Sequence, residues 1–387
     1  MRLWDGTQWP ATADNPRFVI VVREPAALAE LATADVEAIG EAYVEGALDV
    51  EGDLLACYPV VDFLVAQGSL ARPAAPRNAG AARGFDTTRS PESMARAKEA
   101  VNFHYELPGE FFALFLDPER VYTCAYFATE DLSLEEAQVA KLEHVCRKLR
   151  LRQGDEVLDL GCGWGAFTLY AAREYGARVT AITLSELQAA YARGRIAAAG
   201  LEERCRVTVM DLRELAGSAR FDKIASIGSV EHIGATGIAA YFARCFDLLR
   251  PGGLMLNDGM TSRPTRPLGG GNAFQRKYIF PDHALLPVST MLSAAEAADF
   301  EVRDVESLRE HYGLTLALWY RRLEARAARA HALVGEATTR AFKAYLAGTA
   351  HQFRIGDLDM HQSLLAKSAA GNSGLPLTRD DLHRSRA

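Results

Sequence analysis

The tightest constraint on this chain is the run Val157-Leu158-Asp159-Leu160-Gly161-Cys162-Gly163-Trp164-Gly165. An apolar stretch ends abruptly in glycines, and an amphipathic stretch over residues 166–175 begins at once. That order reads as strand, tight loop, helix: the opening unit of a dinucleotide-binding-like parallel sheet. Gly161, Gly163 and Gly165 let the backbone turn sharply and approach a ligand, because no Cβ intervenes. The first N–H groups of the following helix lack intrahelical acceptors and face that ligand. A ligand-free turn would use the same glycines, so the motif needs support from elsewhere in the chain.

The support comes from the ends of the later strands. Residues 178–183 read as a second strand, followed by Thr183-Leu184-Ser185-Glu186-Leu187-Gln188, where dehydrogenases place an acid for a ribose. Thr183, Ser185 and Gln188 either cap the next helix or contact a nucleoside. A third strand, 206–210, ends at Asp211, an acceptor for an adenine amino group. A fourth, 221–227, ends at Ile227 and leads to Glu231 and His232. A fifth, 254–257, ends at Asp258. Ligands of open α/β sheets bind outside the carboxyl ends of the strands. These residues all fall at such ends, a layout suited to methyl transfer from a nucleoside sulfonium.

Upstream, residues 1–70 read as a small, mainly helical domain. A strand is expected at 19–22 and helices at 26–31, 35–43 and 53–64, with Asp5 and Asp49 as cap or turn residues. Residues 71–99 read as a linker. Its Arg72, Arg77, Arg83, Arg89, Arg96 and Lys98 are either a solvated loop or a patch for anionic lipid head groups. Residues 100–368 form the catalytic domain, and 369–387 a disordered tail. The segment from Val101 to Phe127 crowds aromatic, His and Cys side chains ahead of the nucleotide unit. Ser133 with Glu136 reads as a capping box. Residues 263–272 read as a mobile loop, and 314–333 as an Arg-rich amphipathic helix packed on the sheet.

A net charge of −7 argues against general nucleic-acid binding. The six cysteines form no Cys-x-x-Cys pair and read as reduced thiols, and no metal set is expected. No apolar run spans a bilayer, and Met1-Arg2-Leu3-Trp4-Asp5 lacks a signal-peptide layout. A cytoplasmic protein follows from this reading.

Several further pieces carry a resemblance: His104-Tyr105-Glu106-Leu107, Tyr122-Thr123-Cys124-Ala125-Tyr126, the glycine loop, Thr183-x-Ser185-x-x-Gln188, Ser226-Ile227-Gly228-x-x-Glu231-His232-Ile233-Gly234, and Lys277-Tyr278-Ile279-Phe280-Pro281. Together they resemble the cyclopropane fatty-acyl-phospholipid and mycolic acid cyclopropane synthases. The resemblance implies a class I methyltransferase (Rossmann-like) α/β sheet with helices on both faces. It implies S-adenosylmethionine held by Tyr122, Thr123, Gly161, Cys162, Gly163, Gly165, Thr183, Ser185, Gln188, Asp211, Leu212 and Ile227. The N-terminal domain is similar to that of the larger phospholipid-acting members.

The implied reaction adds a methyl to a lipid double bond, passes through a carbocation, and closes a ring when bicarbonate takes a proton. Cys124, Glu231, Tyr312 and a His after the fifth strand hold that bicarbonate in the family, and His232 belongs to the matching motif. The π-faces of Tyr105, Tyr122, Tyr126, Phe127 and Trp164 would help the cation.

Three positions depart from the family pattern. Asp258 stands where that His is expected, Thr349 where a Cys is, and Glu106 where an Asp is. Asp258 puts bicarbonate in doubt and makes itself a candidate proton acceptor, oriented by Glu231 and Tyr312. The expected substrate is an unsaturated phospholipid reached by transient contact with the inner membrane surface. A homodimer stays open. The alternative is a related C- or N-methyltransferase that leaves a methyl or methylene branch, or acts on a small molecule, without bicarbonate.

Overall fold

A computed structural model describes residues 1–10, 15–33, 36–66, 91–263 and 271–383. The N-terminal unit pairs β1 (Phe18–Val22) antiparallel with β2 (Leu48–Gly52) and packs α1 (Pro25–Thr33), α2 (Val36–Glu45) and α3 (Leu54–Ala66) against that two-stranded sheet. The second strand goes beyond the sequence reading, in which Gly46 and Asp49 suggest a turn. Asp5 does make a turn, accepting from the Thr7 N–H at 2.8 Å. Asp49 instead sits in β2 and pairs with Arg23 at 2.6 Å and Arg340 at 3.2 Å.

Next come α4 (Pro91–Tyr105), the short α5 (Gly109–Phe112) and α6 (Leu134–Lys148). Ser133 and Glu136 form the expected capping box at the start of α6. Alternation then builds the sheet: β3 (Glu156–Leu160), α7 (Ala166–Tyr175), β4 (Arg178–Thr183), α8 (Glu186–Ala198), β5 (Cys205–Val209), β6 (Phe221–Ile227), α9 (Gly234–Leu248) and β7 (Leu249–Ser262). The chain continues through α10 (Gly271–Tyr278), α11 (Val288–Ala297), β8 (Glu301–Ser307), α12 (Arg309–Ala325), α13 (Ala327–Val334), α14 (Glu336–Ile355), β9 (Leu358–Ala366) and α15 (Asp380–His383).

The main sheet has seven strands in the order β5-β4-β3-β6-β7-β9-β8. The first five are parallel, and β9 runs antiparallel to both of its neighbours. Strand alternation divides the core. Val157, Ala225 and Leu256 join α6–α8 on one face, while Leu158, Ile224 and Met255 join α9 and α11 on the other. A third cluster lies at the carboxyl ends of the strands. It joins Val22, Tyr43 and Leu54 of the N-terminal unit to Phe111, Phe112, Phe115, Trp319, Phe342 and Tyr345. Arg340 stitches the two parts further, donating to Tyr43 O and Leu48 O.

Four expectations change here. First, β7 does not stop at Asn257; Asp258 and the residues after it stay paired with β9 through Ser262. Asp258 therefore lies within the sheet, opposite Ile227 on β6 and Gln362 on β9. Second, the Arg-rich helix is broken at Arg326 into α12 and α13. Its arginines tie helices together: Arg322 to Glu135 at 2.7 Å, Arg326 to Leu114 O at 2.9 Å, Arg329 to Glu110 at 3.4 Å. Third, residues 369–383, expected to be disordered, dock on the sheet edge through Arg379–Asp304 at 2.9 Å and Arg150–Asp381 at 3.0 Å. Fourth, of the basic stretch only Arg96 and Lys98 fall among the described residues, and both are paired, with Asp282 and Glu186. Arg72, Arg77, Arg83 and Arg89 lie outside them, as do residues 264–270 of the loop expected to be mobile.

Candidate active site

A cavity of about 350 Å³ opens outside the carboxyl ends of β3, β4, β5 and β6. Leu160, Gly161, Gly163, Thr183, Gln188, Asp211, Leu212 and Ser229 line its inner wall. One face of α4, from Arg96 to Tyr105, closes it from outside. A second cavity, of about 70 Å³, shares Gly161, Gly163 and Gln188 with the first and reaches Tyr122, Thr123, Cys162 and Ile227. The glycines act differently from one another. Gly161 has φ +76°, and a Cβ there would lie 2.0 Å from Ser229 Oγ. Gly163 has φ +52° and open space where its Cβ would be, so a side chain would enter the cavity. A Cβ on Gly165 would meet Ala192 at 2.8 Å. That glycine lines neither cavity and serves close packing of α7 on α8.

The polar residues at the nucleoside end are committed to local structure. Ser185 Oγ accepts from Gln188 N at 3.2 Å and caps α8, and Ser185 lines neither cavity. Thr183 Oγ1 donates to Gln188 Oε1 at 2.9 Å, which fixes the amide's orientation. Asp211 lines the larger cavity, but both its oxygens already accept from Arg213, at 2.9 and 2.7 Å. The oxygens expected to accept from an adenine amino group are thus already engaged by Arg213.

An aromatic wall stands behind Tyr105, Tyr122 and Trp164, the rings that border the cavities. His104 stacks on Tyr122 (5.6 Å) and Phe280 (4.0 Å), and Tyr122 packs on Trp319 (5.1 Å), which Tyr312 meets edge-on (6.1 Å). Tyr126 and Phe127 are not part of this basin; Tyr126 stacks between His144 and His311 at 4.3 and 4.9 Å, and neither residue lines a cavity. Several polar atoms here are buried without a hydrogen-bond partner among the described residues: His104 Nε2, Tyr122 Oη, Trp319 Nε1 and Glu231 Oε2. Native interiors seldom leave such groups unpaired without a ligand to meet them. His104 Nδ1 lies 3.0 Å from Ile279 O, a group that can only accept, so Nδ1 carries the proton and Nε2 a lone pair. Burial holds this imidazole neutral, with its pKa pushed down to about 3.

Glu231 is buried on the short 3₁₀ turn after β6, and its Oε1 accepts from Met260 N at 2.8 Å. Burial, with a smaller push from Asp258, raises its pKa to about 7. Its charge in turn reaches Tyr105, Tyr312 and Tyr345, whose hydroxyls burial already holds far above the usual tyrosine range. Cys124 is buried with its thiol donating to Ala125 O at 3.3 Å, and burial followed by Asp258 pushes its pKa well up. It stays a thiol. His232 lines the larger cavity, edge-on to Phe280 at 5.8 Å, and burial keeps it neutral.

Asp258 is fully buried, Oδ2 accepting from Gln362 at 2.7 Å and Oδ1 unpartnered. Burial raises its pKa to about 6, against the pull of Lys141. Asp258 thus faces α6 and Cys124, whereas Glu231 faces the tyrosines. Sequence reasoning assigns no role to Arg120, Lys141, His104, Asp159 or Gln362. A signal exists for Lys141: it falls on the buried face of α6 with Leu134, Gln138 and Val145.

This sheet and these strand-end cavities define a class I S-adenosylmethionine-dependent methyltransferase. Residues 92–363 match the family model described as mycolic acid cyclopropane synthetase. A probable fatty acid methyltransferase of Pseudomonas putida is 40% identical over 99% of this chain and 96% of its own length. Among solved structures, the cyclopropane synthase MmaA2 from Mycobacterium tuberculosis is 34% identical, with a TM-score of 0.67 over 69% of this chain and 97% of its own. The mycolic acid cyclopropane synthase CmaA1 complexed with SAH and CTAB is 35% identical, with a TM-score of 0.66 over 69% and 97%. The chain belongs to the mycolic acid cyclopropane synthetase family. The Pseudomonas relative, unlike the two structures, matches the N-terminal unit as well.

Proposed function

We propose that this protein transfers a methyl group from S-adenosylmethionine to the double bond of an unsaturated acyl chain, on a phospholipid, and closes a cyclopropane through a carbocation. The observation that carries this reading is the set of unpartnered buried polar atoms in an aromatic basin beside the strand-end cavities. S-Adenosylmethionine, when bound, supplies an electrophilic methyl group. Thr183, Leu184, Asp211 and Leu212 would hold its nucleoside, and Tyr122, Thr123, Gly163, Gln188 and Ile227 its amino-acid end. The open space at Gly163 fits a ligand pressed against the loop.

An alkene is a weak nucleophile, so orientation and exclusion of water must lower the barrier. Phe112, Tyr122, Trp319 and Phe342 exclude water and offer π-faces to a transient cation. Glu231 Oε2 is the proton acceptor. A base works best with a pKa near the operating pH, and burial has brought this one to about 7. The residues present do not fit a bicarbonate ion. Glu231 and Asp258, the carboxyls closest to its expected place, act on each other as like charges and would oppose an anion, and the Cys124 thiol is already given to Ala125 O. No step is assigned to bicarbonate. Among the described residues no helix is long and apolar enough to cross a membrane. A phospholipid presents its acyl chain at the bilayer, so the reading has the protein meet it at the membrane surface, with residues 1–70 as a lipid-binding-type domain.

A second reading, in which the reaction stops at a methyl or methylene branch, is favoured by one observation: Asp258 replaces the family's His. Lipid mass spectrometry of a host expressing the gene, against a host lacking it, separates the two. A gain of one CH₂ with loss of the alkene supports the ring. A retained alkene with the same gain establishes the branch, and unchanged lipids overturn both.

A further inference from the structure

The smaller cavity is bordered by side chains with unused hydrogen-bond donors. The Arg120 guanidinium lies over the rings of Tyr191 at 4.1 Å and Trp164 at 5.2 Å, with no acceptor among the described residues. The Trp164 indole N–H and the Tyr122 hydroxyl on the same wall are buried without partners. Trp164 itself is 2% exposed. Lys141, 1% exposed, makes one hydrogen bond, to Thr123 Oγ1 at 2.7 Å, although an ammonium carries three N–H groups. One carboxylate, Asp159, borders this space, and its Oδ2 is taken by the Thr168 hydroxyl at 2.6 Å.

The local chain holds Arg120 in place at some cost. Its φ is +55°, a conformation uncommon for residues with a Cβ. Asp117 fixes that turn by accepting from Glu119 N at 3.0 Å and Val121 N at 2.8 Å. Gly109 supplies the room, since a Cβ there would lie 2.9 Å from Arg120 Nη1. Strained backbone that is over-determined by its surroundings is common where a side chain must be aimed. A guanidinium stacked on two aromatic faces is oriented before any ligand arrives, and its planar fork matches a carboxylate through two hydrogen bonds.

We infer that Arg120, seconded by Lys141, binds the carboxylate of the cofactor's amino-acid end and so makes the site selective for nucleosides that carry an amino-acid tail. Two cations and one acid around one small space suit a zwitterion better than a simple anion. The inference rests on the cofactor reading above and deepens it. Arg120 is a positioning residue: by anchoring the tail it fixes where the methyl group points.

Calorimetric titration with two probes tests it, S-adenosylhomocysteine and 5′-methylthioadenosine, the second lacking the amino-acid tail. Arg120→Asn removes the guanidinium while suiting the left-handed backbone. It should weaken S-adenosylhomocysteine by about 10- to 100-fold, the range for a hydrogen-bonded charge pair, and leave methylthioadenosine within about twofold. Lys141→Met should act in the same direction, with thermal melting to verify the fold. Equal weakening of both probes, or none of the first, overturns the role of Arg120. A native protein that binds neither probe overturns the cofactor reading itself.

Discussion

The two walls of the strand-end cleft are built on opposite principles. On the nucleoside wall, Thr183, Ser185, Gln188 and Asp211 satisfy one another or the backbone within a few residues of sequence. On the aromatic wall, His104, Tyr122, Glu231 and Trp319 come from segments far apart in the chain, and each keeps a polar atom unpaired. The first wall is complete without a ligand, because strand ends and helix caps use the same groups. The second is complete only when something enters. Binding should therefore depend mostly on the first wall and turnover on the second, and each experiment below is placed to break that division.

The largest effect belongs to Glu231→Gln. Loss of a general base costs about 10²- to 10⁴-fold in kcat, whereas calorimetry should show an unchanged affinity for S-adenosylhomocysteine. The pH dependence follows from burial. Glu231 is raised from 4.5 to about 7, so its charged form is the disfavoured one. Turnover should rise through pH 7 as the carboxylate forms. The same group should make the fold lose stability as pH climbs from 4.5 to about 7, where the unfolded chain has released a proton that the folded one retains. A kcat profile flat across this range would remove Glu231 as the base.

Gly163→Val attacks the other wall. A side chain there enters the cavity, and overpacking of that kind costs ~1–3 kcal/mol, about 10- to 100-fold in affinity. Thermal melting should show the variant folded but less stable: nothing lies within 4 Å of the new Cβ, while φ +52° strains a β-branched residue. Unchanged affinity in a folded variant would mean that the loop does not touch the cofactor.

The same division explains what can be read from sequence. The parallel strands, the glycine loop, the α6 capping box and the Ser185 cap follow from local rules, because period-2 alternation and cap chemistry act over a few residues. The identity of the base does not. Sequence alone puts Asp258 at a strand end, but β7 continues because β9, more than a hundred residues later, pairs with it through Ser262. That long-range pairing turns Asp258 toward Gln362 and α6 and leaves Glu231 facing the tyrosines. Tyr126 leaves its expected place for a like reason: His144 and His311 draw it away from the basin. Arg120 gives no pattern at all, since its aim comes from a positive φ and two distant rings.

Asp258→Asn sharpens the comparison at lower cost to activity. The Asp258 charge raises the Glu231 pKa, so removing it should move the acid limb of the kcat profile downward by less than about one pH unit. Turnover at pH 8 should hold within about tenfold, and depletion of bicarbonate should not change it, as expected if the carboxyl acts through a neighbour. A collapse as deep as that of Glu231→Gln would make Asp258 the base after all. Loss of native activity on depletion would restore bicarbonate to the mechanism.

The smallest effect tests whether the nucleoside wall is scaffold or ligand. Ser185 Oγ accepts from Gln188 N at 3.2 Å and borders neither cavity, although the sequence also allows a contact with the cofactor. Ser185→Ala removes an N-cap from α8, which costs ~1 kcal/mol of stability. Affinity for S-adenosylhomocysteine should stay within about twofold, because the Thr183–Gln188 hydrogen bond that orients the lining amide does not involve the serine hydroxyl. Chemical denaturation and calorimetry on one preparation separate the two outcomes. If affinity falls while stability holds, the hydroxyl reaches the ligand and the wall is not self-sufficient. If stability falls alone, Ser185 is a cap only, and the Thr183 bond suffices to hold Gln188 where both cavities meet.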